Sequence, residues 1–251
     1  MGEASHAFGA VAPFYDRVMA HVPYDDWVEY VELLVRHWRC GGGAALDVAC
    51  GTGAVGLGLA AAGRRVLGVD VSAPMLAVGR AKAAAAGLPM SFCRQDMSAL
   101  GLASGAFDLA VCLFDSLNYL LESEQLPATM RGVCGALGRG GLFIFDLNTE
   151  YALEQELFTQ QDLGPEAPVR LNWRSRFDRA TRLSTVDMEF YLDDGTTVTE
   201  THRQRAWSPR EVRAAVQAAG LKTLAVYDAY SFELPRRDSD RVFYVCRRDA
   251  G

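Results

Sequence analysis

A glycine-rich turn follows an aspartate in the segment LDVACGTGAVG, residues 46–56. The end of this segment fits the spacing GxGxxG, and Asp70 follows about twenty positions later. Together they match the sequence pattern of a dinucleotide-binding fingerprint. In such a site a pyrophosphate docks on the positively polarised amides at the start of a helix. Asp47, shortly before Gly51, would repel that dianion. A carboxylate there instead attracts a cation or accepts hydrogen bonds from an ammonium group.

Further aspartates follow the next apolar segments. Asp70 closes VLGVD, and an ionised carboxylate can accept hydrogen bonds from both hydroxyls of a ribose. Asp96 and Met97 follow the next predicted strand and offer a carboxylate for an exocyclic amine beside an apolar wall for a purine. Together these residues predict a cofactor that has an ammonium group, a sulfonium centre, a ribose and an adenine but no phosphate. S-adenosylmethionine has this composition.

The elements that must position these residues alternate between strand and helix. An amphipathic helix is predicted at 24–38, ended by the glycines that follow it. Alternation of strands and helices predicts a parallel sheet covered on both faces, with ligands beyond the carboxyl ends of its strands. Strands are predicted at 44–48, 65–69, 90–94, 107–113 and 141–147, and helices at 54–62, 75–86 and 122–137.

The pattern becomes antiparallel between residues 166 and 206, where Asp193-Asp194-Gly195 predicts a hairpin turn. Ser208, Pro209 and Glu211 then predict the start of a helix with a capping box. Two closing strands are predicted at 221–229 and 241–247. The fold class is therefore α/β: a doubly wound, Rossmann-like, mostly parallel seven-stranded sheet with helices on both faces and an inserted antiparallel sheet as a lid.

Five ordered segments, LDVACGTG, GVDVSAPMLAVGRAKA, CRQDMSAL, FDLAVCLFDSLNYL and LGRGGLFIFDLNT, resemble the motifs of class I S-adenosylmethionine-dependent methyltransferases over residues 44–150. The resemblance implies that Asp47 and the glycine turn hold the methionine part, Asp70 the ribose, and Asp96 with Met97 the adenine. Ala49 departs from the glycine that many members have. The residues predicted to contact the cofactor are Tyr15, Asp47, Ala49, Cys50, Gly51, Thr52, Gly53, Asp70, Val71, Met75, Gln95, Asp96, Met97, Leu113 and Phe114.

The flanking segments FGAVAPFYDRVM, VPYDDW and DSLNYL and the inserted strands resemble small-molecule methyltransferases, including enzymes that methylate amino sugars and other amines. This resemblance implies that residues 1–43 form a helical cap over the cofactor site and that 165–206 form a substrate-covering sheet. Residues 44–164 and 207–251 then form the Rossmann-like core. It also implies that Tyr15 lies beside the cofactor or its methyl group.

Residues around the end of the fourth strand are candidates for catalysis. Phe114 and Asp115 are interpreted as lining the methyl-transfer channel, with Asn118 or Tyr119 orienting the acceptor. The alternative for this segment is a capping turn before the next helix. His202 is a candidate substrate contact or base, or else a surface histidine. The catalytic candidates are Tyr15, Asp115, Asn118, Tyr119 and His202.

Composition limits the other possibilities. The net charge of -6 and the lack of a basic stripe argue against a nucleic-acid partner. Six cysteines without a CxxC pair, and no HExxH, predict reduced thiols and no metal. We expect no signal peptide, since the N-terminal residues lack a charged start and an apolar core, and no membrane span, since no apolar run approaches the about 18 residues required. We expect a cytoplasmic monomer or homodimer that acts on a small molecule.

Three alternatives remain at this point. The first is a tRNA or protein methyltransferase of the same fold. The second is a nicotinamide-dependent oxidoreductase, which Asp47 opposes, and the third is a non-catalytic S-adenosylmethionine-binding module. Direct displacement by an amine needs only a neutral nucleophile, whereas a hydroxyl acceptor needs a base. An amine is therefore the expected acceptor, although the sequence leaves methylation of nitrogen, oxygen or carbon open.

Overall fold

The computed structural model describes residues 8–164 and 166–249, which form seven α-helices and eleven strands. The first seven residues of the predicted N-terminal cap, one residue of the predicted insertion and the last two residues of the predicted core lie outside the described residues. The helices are α1 (Tyr15–Val18), α2 (Tyr24–His37), α3 (Ala54–Ala61), α4 (Ala73–Ala86), α5 (Gln125–Ala136), α6 (Glu150–Glu154) and α7 (Pro209–Ala218). The strands are β1 (Ala44–Val48), β2 (Arg65–Asp70), β3 (Met90–Arg94), β4 (Phe107–Cys112), β5 (Leu137–Asn148), β6 (Gln160–Asp162), β7 (Arg170–Asp178), β8 (Leu183–Tyr191), β9 (Thr197–Arg205), β10 (Leu221–Asp228) and β11 (Arg241–Arg248).

Seven strands form the larger sheet, in the order β10-β11-β5-β4-β1-β2-β3. The strands from β1 to β5 pair in parallel, whereas β11 runs antiparallel to both β5 and β10. The predicted doubly wound, mostly parallel seven-stranded sheet is confirmed. Because β1 lies between β2 and β4, the loops that leave the carboxyl ends of these strands meet at one edge.

Both faces of this sheet are covered, because successive side chains of a strand point to opposite faces. In β1, Leu46 and Val48 pack in the cluster that contains α5 and α7. Ala45, one residue before Leu46, points to the other face and packs in the cluster that contains α2 and α3. All three side chains are fully buried. This two-sided burial explains why the strands appear in the sequence as continuous apolar runs.

Two predicted boundaries near α5 differ from the structure. The helix begins at Gln125 rather than at residue 122, because Gln125 folds back and its side chain accepts a hydrogen bond from the Glu122 backbone N–H at 2.9 Å. It ends at Ala136, and β5 starts directly at Leu137 rather than at residue 141. The glycines of LGRGG carry no helix or strand periodicity, so the early start of β5 leaves little trace in the sequence.

The smaller sheet is antiparallel, with the order β6-β7-β8-β9. The predicted Asp193-Asp194-Gly195 turn joins β8 to β9, with Gly195 at φ 86° and the Leu192 N–H donating to Thr196 O at 2.9 Å. Along β9, Glu200, His202 and Gln204 share one face, since they are two residues apart. The predicted division of the chain into three domains stays a prediction.

The N-terminal segment, residues 8–23, lies between the two sheets. Val11 and Phe14 are buried in a cluster with Leu171 and Phe190 of the smaller sheet and Met75 of α4. This packing holds the segment over the carboxyl edge of the larger sheet. The start of α7 is also fixed as predicted, because Ser208 and Glu211 form the reciprocal hydrogen bonds of a capping box.

Candidate active site

A cavity of ≈ 1310 Å³ lies between the carboxyl edge of the larger sheet, the N-terminal segment and the smaller sheet. Its wall brings together nearly all the residues predicted from the sequence. Gly53 and Asn118 are the two that do not line it. The predicted residues in the wall are Tyr15, Asp47, Ala49, Cys50, Gly51, Thr52, Asp70, Val71, Met75, Gln95, Asp96, Met97, Leu113, Phe114, Asp115, Tyr119 and His202.

The glycine-rich turn after β1 depends on left-handed backbone. Ala49, Gly51 and Gly53 have φ values of 57°, 55° and 80°. Gly53 is the N-cap of α3, and a Cβ on it would lie 3.0 Å from Phe92 Cε1. Gly53 therefore shapes the turn, and its contact with the cofactor stays a prediction. Ala49 adopts a left-handed conformation, which costs an L-residue about 1–2 kcal/mol.

Asp47 is a buried carboxylate in the cavity wall, 3% exposed. Its Oδ2 is enclosed without a hydrogen-bond partner among the described residues. Burial raises the pKa of Asp47 to about 7, opposed by the Gly56 backbone N–H and reinforced by the neighbouring charge of Asp70. A buried carboxylate oxygen without a hydrogen-bond donor favours a positively charged ligand group beside it.

Asp70, at the end of β2, is held by two backbone donors. Its Oδ2 accepts from the Gly51 N–H and its Oδ1 from the Ser72 N–H, both at 2.8 Å. Burial raises its pKa, although the backbone N–H groups of Ser72 and Gly51 oppose this shift. Because a carboxylate oxygen can accept more than one hydrogen bond, both oxygens keep the capacity to bind a pair of ligand hydroxyls.

Asp96 and its neighbours form the wall after β3. Asp96 Oδ1 accepts from the Ser98 N–H and from Ser98 Oγ, both at 2.8 Å, and thereby caps the short 3-10 helix Met97–Ala99. Asp96 thus caps this turn through Oδ1, which leaves Oδ2 for a ligand. Gln95 accepts from the Gly101 N–H at 2.8 Å, which fixes the loop that carries Asp96 and Met97.

The turn after β4 is strained and tied to the last strand. Phe114 and Asp115 are consecutive left-handed residues, with φ 63° and 52°. Asp115 Oδ1 forms a 2.7 Å ion pair with Arg241 of β11, and its Oδ2 accepts from Gln204 of β9. The Asp115 carboxylate, predicted to line the methyl-transfer channel, is therefore engaged by two other side chains.

Arg241 also forms an ion pair with Asp146, which is fully buried near the end of β5. Burial, and after it the charge of Asp115, raise the pKa of Asp146 to about 6, although Arg241 acts in the opposite direction. Burial lowers the pKa of Arg241, but the two carboxylates outweigh it and hold that pKa above its usual range.

The sequence interpretation missed Arg241, Asp146 and Gln204. Only Asp146, which ends the apolar run LFIF, carried a signal in the sequence.

Asn118 lies outside the cavity, and the expectation that it orients the acceptor does not fit its position. Its side chain is fully buried. Nδ2 donates to the carbonyls of Asn148 at 3.1 Å and Arg205 at 2.9 Å, and Oδ1 accepts from the Asn148 N–H at 3.0 Å. The amide thus joins the chain where it leaves β5 to the chain where it returns from β9.

Tyr119 and His202 meet in the cavity wall. The Tyr119 hydroxyl lies 2.9 Å from His202 Nδ1, and Glu200 Oε2 lies 2.8 Å from His202 Nε2. His202 is 1% exposed, so the surface interpretation of this histidine is wrong. The Phe8 ring packs on both, with centroids 5.5 Å from Tyr119 and 4.4 Å from His202. Glu200 and Phe8 were not among the predicted site residues.

Tyr15 lines the cavity from the N-terminal segment. Its ring packs edge-on against Phe8 at 5.8 Å. Burial raises its pKa well above the usual range, reinforced by the neighbouring Tyr24 and Tyr119. Tyr15 is therefore a neutral hydroxyl at neutral pH, between the N-terminal segment and the strand ends.

The glycine-rich turn and the aspartates at the strand ends indicate one class of protein, the methyltransferases that use S-adenosylmethionine. Comparisons with known proteins indicate the same class. A methyltransferase domain model matches residues 45–141. A Geobacillus sp. (strain WCH70) protein, provisionally named a methyltransferase, is 31% identical over 251 residues, covering 96% of this chain and 99% of its own. The chain belongs to the class I S-adenosylmethionine-dependent methyltransferases.

Two solved structures share its fold. An S-adenosylmethionine-dependent methyltransferase from Clostridium acetobutylicum has a TM-score of 0.85 and 27% identity, covering 97% of this chain and 100% of its own. The S-adenosylmethionine-bound amino pentose methyltransferase CalS10 from Micromonospora echinaspora has a TM-score of 0.70 and 22% identity, covering 90% and 91%. The cofactor is S-adenosylmethionine, and the nicotinamide alternative is not retained. None of the helices that the structure describes is long and apolar enough to cross a membrane.

Proposed function

We propose that this enzyme transfers the methyl group of S-adenosylmethionine to an amine of a small molecule. The observation that carries the proposal is the cavity, whose wall combines Asp47 and Asp70 of the larger sheet with Tyr119 and with Glu200 and His202 of the smaller sheet. The N-terminal segment and the smaller sheet both cover it, so the cavity accommodates a small molecule more readily than a folded RNA or protein. CalS10, which shares the fold, is named for an amino pentose acceptor.

The cofactor half of the cavity has the groups that S-adenosylmethionine requires. Asp47 would pair with the ammonium of its methionine part, and the pKa of about 7 marks the carboxylate that such a cation would stabilise. Asp70 would accept from the ribose hydroxyls. Asp96 Oδ2 and the Met97 side chain would meet the adenine. When bound, S-adenosylmethionine supplies a methyl group already activated on a sulfonium sulfur.

The acceptor half of the cavity combines apolar walls with hydrogen-bond acceptors. Trp173, Met188 and Phe190 of the smaller sheet form an apolar wall. Tyr119 and His202 would hold the amine and receive its proton, with Tyr15 bordering the same space. Alignment of the nucleophile and exclusion of water are together worth several kcal/mol of barrier in such displacements. A neutral amine needs no stronger base than this site provides.

Calorimetry with S-adenosylhomocysteine tests the cofactor half. We expect Asp70→Ala to abolish measurable binding, and Asp25→Ala, an exposed aspartate in the first turn of α2, to leave it unchanged. Transfer of labelled methyl to a panel of primary amines, secondary amines and matched alcohols tests the acceptor. Transfer to the alcohols alone, or to RNA or protein and to none of the small amines, would overturn the proposal.

A further inference from the structure

One carboxylate, that of Glu200 on β9, contacts both the N-terminal segment and the acceptor end of the cavity. It accepts hydrogen bonds from the backbone N–H groups of Phe8 at 2.8 Å, Ala10 at 3.0 Å and Val11 at 3.3 Å. The same side chain lies 2.8 Å from His202 Nε2 and is 6% exposed. Glu200 therefore gathers four donors that come from two separate parts of the chain.

The charge of Glu200 sets which nitrogen of His202 carries the proton. Burial alone would raise its pKa, but the hydrogen bonds from His202 and from the Phe8 and Ala10 N–H groups outweigh burial and lower it. An ionised carboxylate only accepts, so His202 Nε2 must donate to it. In the neutral ring Nδ1 is then the acceptor for the Tyr119 hydroxyl.

The backbone contacts of Glu200 also place an aromatic ring. Phe8 is left-handed, with φ 64°, and its ring lies within 5.8 Å, centroid to centroid, of Tyr15, Tyr119 and His202. A Phe8 displaced from Glu200 would expose the hydrogen bond between Tyr119 and His202 to water. Water competes for such bonds and weakens them.

The same N-terminal segment is fixed at its other end on the glycine-rich turn. Asp16 Oδ1 accepts from Thr52 Oγ1 at 2.6 Å, and its Oδ2 forms a 2.7 Å ion pair with Lys82 of α4. The segment thus bridges the cofactor edge of the larger sheet and Glu200 of the smaller sheet. A movement of the segment would therefore change contacts at the glycine-rich turn and at Glu200.

We propose that Glu200 is a positioning residue that couples closure of the N-terminal segment over the cavity to the readiness of His202 and Tyr119 to take a proton from the amine. The inference rests on the proposed amine methylation. In that reaction the nitrogen lone pair forms the N–C bond, and the C–S electron pair stays on sulfur. The proton of the methylated nitrogen passes to the Tyr119 oxygen while the Tyr119 O–H proton passes to His202 Nδ1. The imidazolium beside Glu200 releases its proton to solvent when the segment opens.

The test uses Glu200→Gln in the full-length enzyme, with Glu189→Gln as the matched control. Glu189 is on the neighbouring strand β8 and binds Asn172 Nδ2 at 2.8 Å and the Tyr191 hydroxyl at 2.9 Å, outside the cavity wall. We expect amide exchange of Phe8, Ala10 and Val11 to accelerate roughly tenfold in Glu200→Gln, because charge-assisted bonds become neutral ones. The control should exchange as wild type does.

Nitrogen chemical shifts of His202 give the second readout. Wild type should show the proton on Nε2, and Glu200→Gln should show a mixture of the two tautomers. With an amine acceptor, Glu200→Gln should lower kcat more than it changes KM, and Glu200→Asp should recover part of the loss. Unchanged exchange and an unchanged tautomer, or an effect on KM alone, would overturn the coupling. An enzyme that binds S-adenosylhomocysteine but methylates no amine would instead overturn the proposed function, while exchange and tautomer still decide whether Glu200 holds the segment.

Discussion

Arg241 and Asp115 form a 2.7 Å ion pair at the cavity edge, although 126 positions separate them in the chain. The same guanidinium contacts Asp146, and this cluster holds the left-handed turn at Phe114 and Asp115. The turn after β4 therefore reaches its position only when β11 has paired with β5. Completion of the active site is thus linked to the last strand of the sheet.

Arg241→Met should destabilise the enzyme strongly, because it leaves two buried carboxylates without their cation. We expect a loss of about 3–5 kcal/mol in the free energy of unfolding. Urea denaturation followed by fluorescence measures it. Arg236→Met is the control, since Arg236 is 75% exposed and its contacts are 3.7 and 3.8 Å long. A loss below about 1 kcal/mol for Arg241→Met would contradict a structural role for the cluster.

S-adenosylhomocysteine should bind more tightly as the pH rises through about 7, the pKa of Asp47 in the free enzyme. Below that pH Asp47 is protonated and attracts the ligand ammonium less. We expect affinity roughly tenfold weaker at about pH 6 than at about pH 8, by calorimetry. Asp47→Asn should bind weakly at both values. A variant that keeps the full pH dependence would show that another group causes it.

The stability of the free enzyme should change with pH in the opposite sense. The folded pKa of Asp47 is raised from 3.8 to about 7, so between these values the folded state binds more protons than the unfolded state. Stability therefore falls as pH rises through this window. Chemical denaturation at several pH values should show a shallower decline in Asp47→Asn than in wild type.

Tyr119→Phe should separate catalysis from folding. The substitution keeps the ring that packs against Phe8 and removes the hydroxyl that lies 2.9 Å from His202 Nδ1. We expect kcat for an amine to fall about 100-fold, as for loss of a proton-transfer group. Affinity for S-adenosylhomocysteine should stay unchanged. Tyr151→Phe on α6, 39% exposed, is the control, and equal rates in the two variants would argue against a role for Tyr119.

Asn118→Ala should act on stability alone. The substitution leaves the buried N–H of Asn148 and two carbonyls without their partner, at a cost of about 2–3 kcal/mol. Below the melting temperature, KM for the acceptor should match that of wild type. A raised KM in a fully folded variant would restore Asn118 as a residue that orients the acceptor.

The sequence predicted the elements that have a strong local cause. The strands β1 and β3 have the predicted bounds. In β1 the cause is burial on both faces, which leaves an apolar run that is easy to recognise. The capping box at Ser208 and the hairpin turn at Gly195 depend on a few adjacent residues and were also predicted. Most of the predicted cofactor residues line the cavity for a similar reason, since each follows the end of a strand.

The residues that the sequence did not reveal depend on contacts between distant segments. Glu200 and Gln204 alternate with polar residues in TVTETHRQR, which has the pattern of a solvated strand. Only the register of β9 on β8, and the docking of that sheet on the N-terminal segment, bury them. Arg241 is the first residue of an ordinary apolar strand. Nothing in the neighbouring sequence indicates that it forms ion pairs with Asp115 and Asp146. The positions of Glu200, Gln204 and Arg241 in the site therefore depend on tertiary contacts.

The three hydrogen bonds of Asn118 join the two ends of the chain that builds the smaller sheet, at Asn148 and Arg205. The chain that forms the smaller sheet therefore leaves the core and returns to it at one hydrogen-bonded point. We therefore expect changes within β6 to β8 to act on the acceptor end of the cavity while the strand order of the larger sheet stays intact. A library that varies β6 to β8, while keeping Asn118, Arg241 and the β9 residues Glu200, His202 and Gln204, follows as a route to new acceptors.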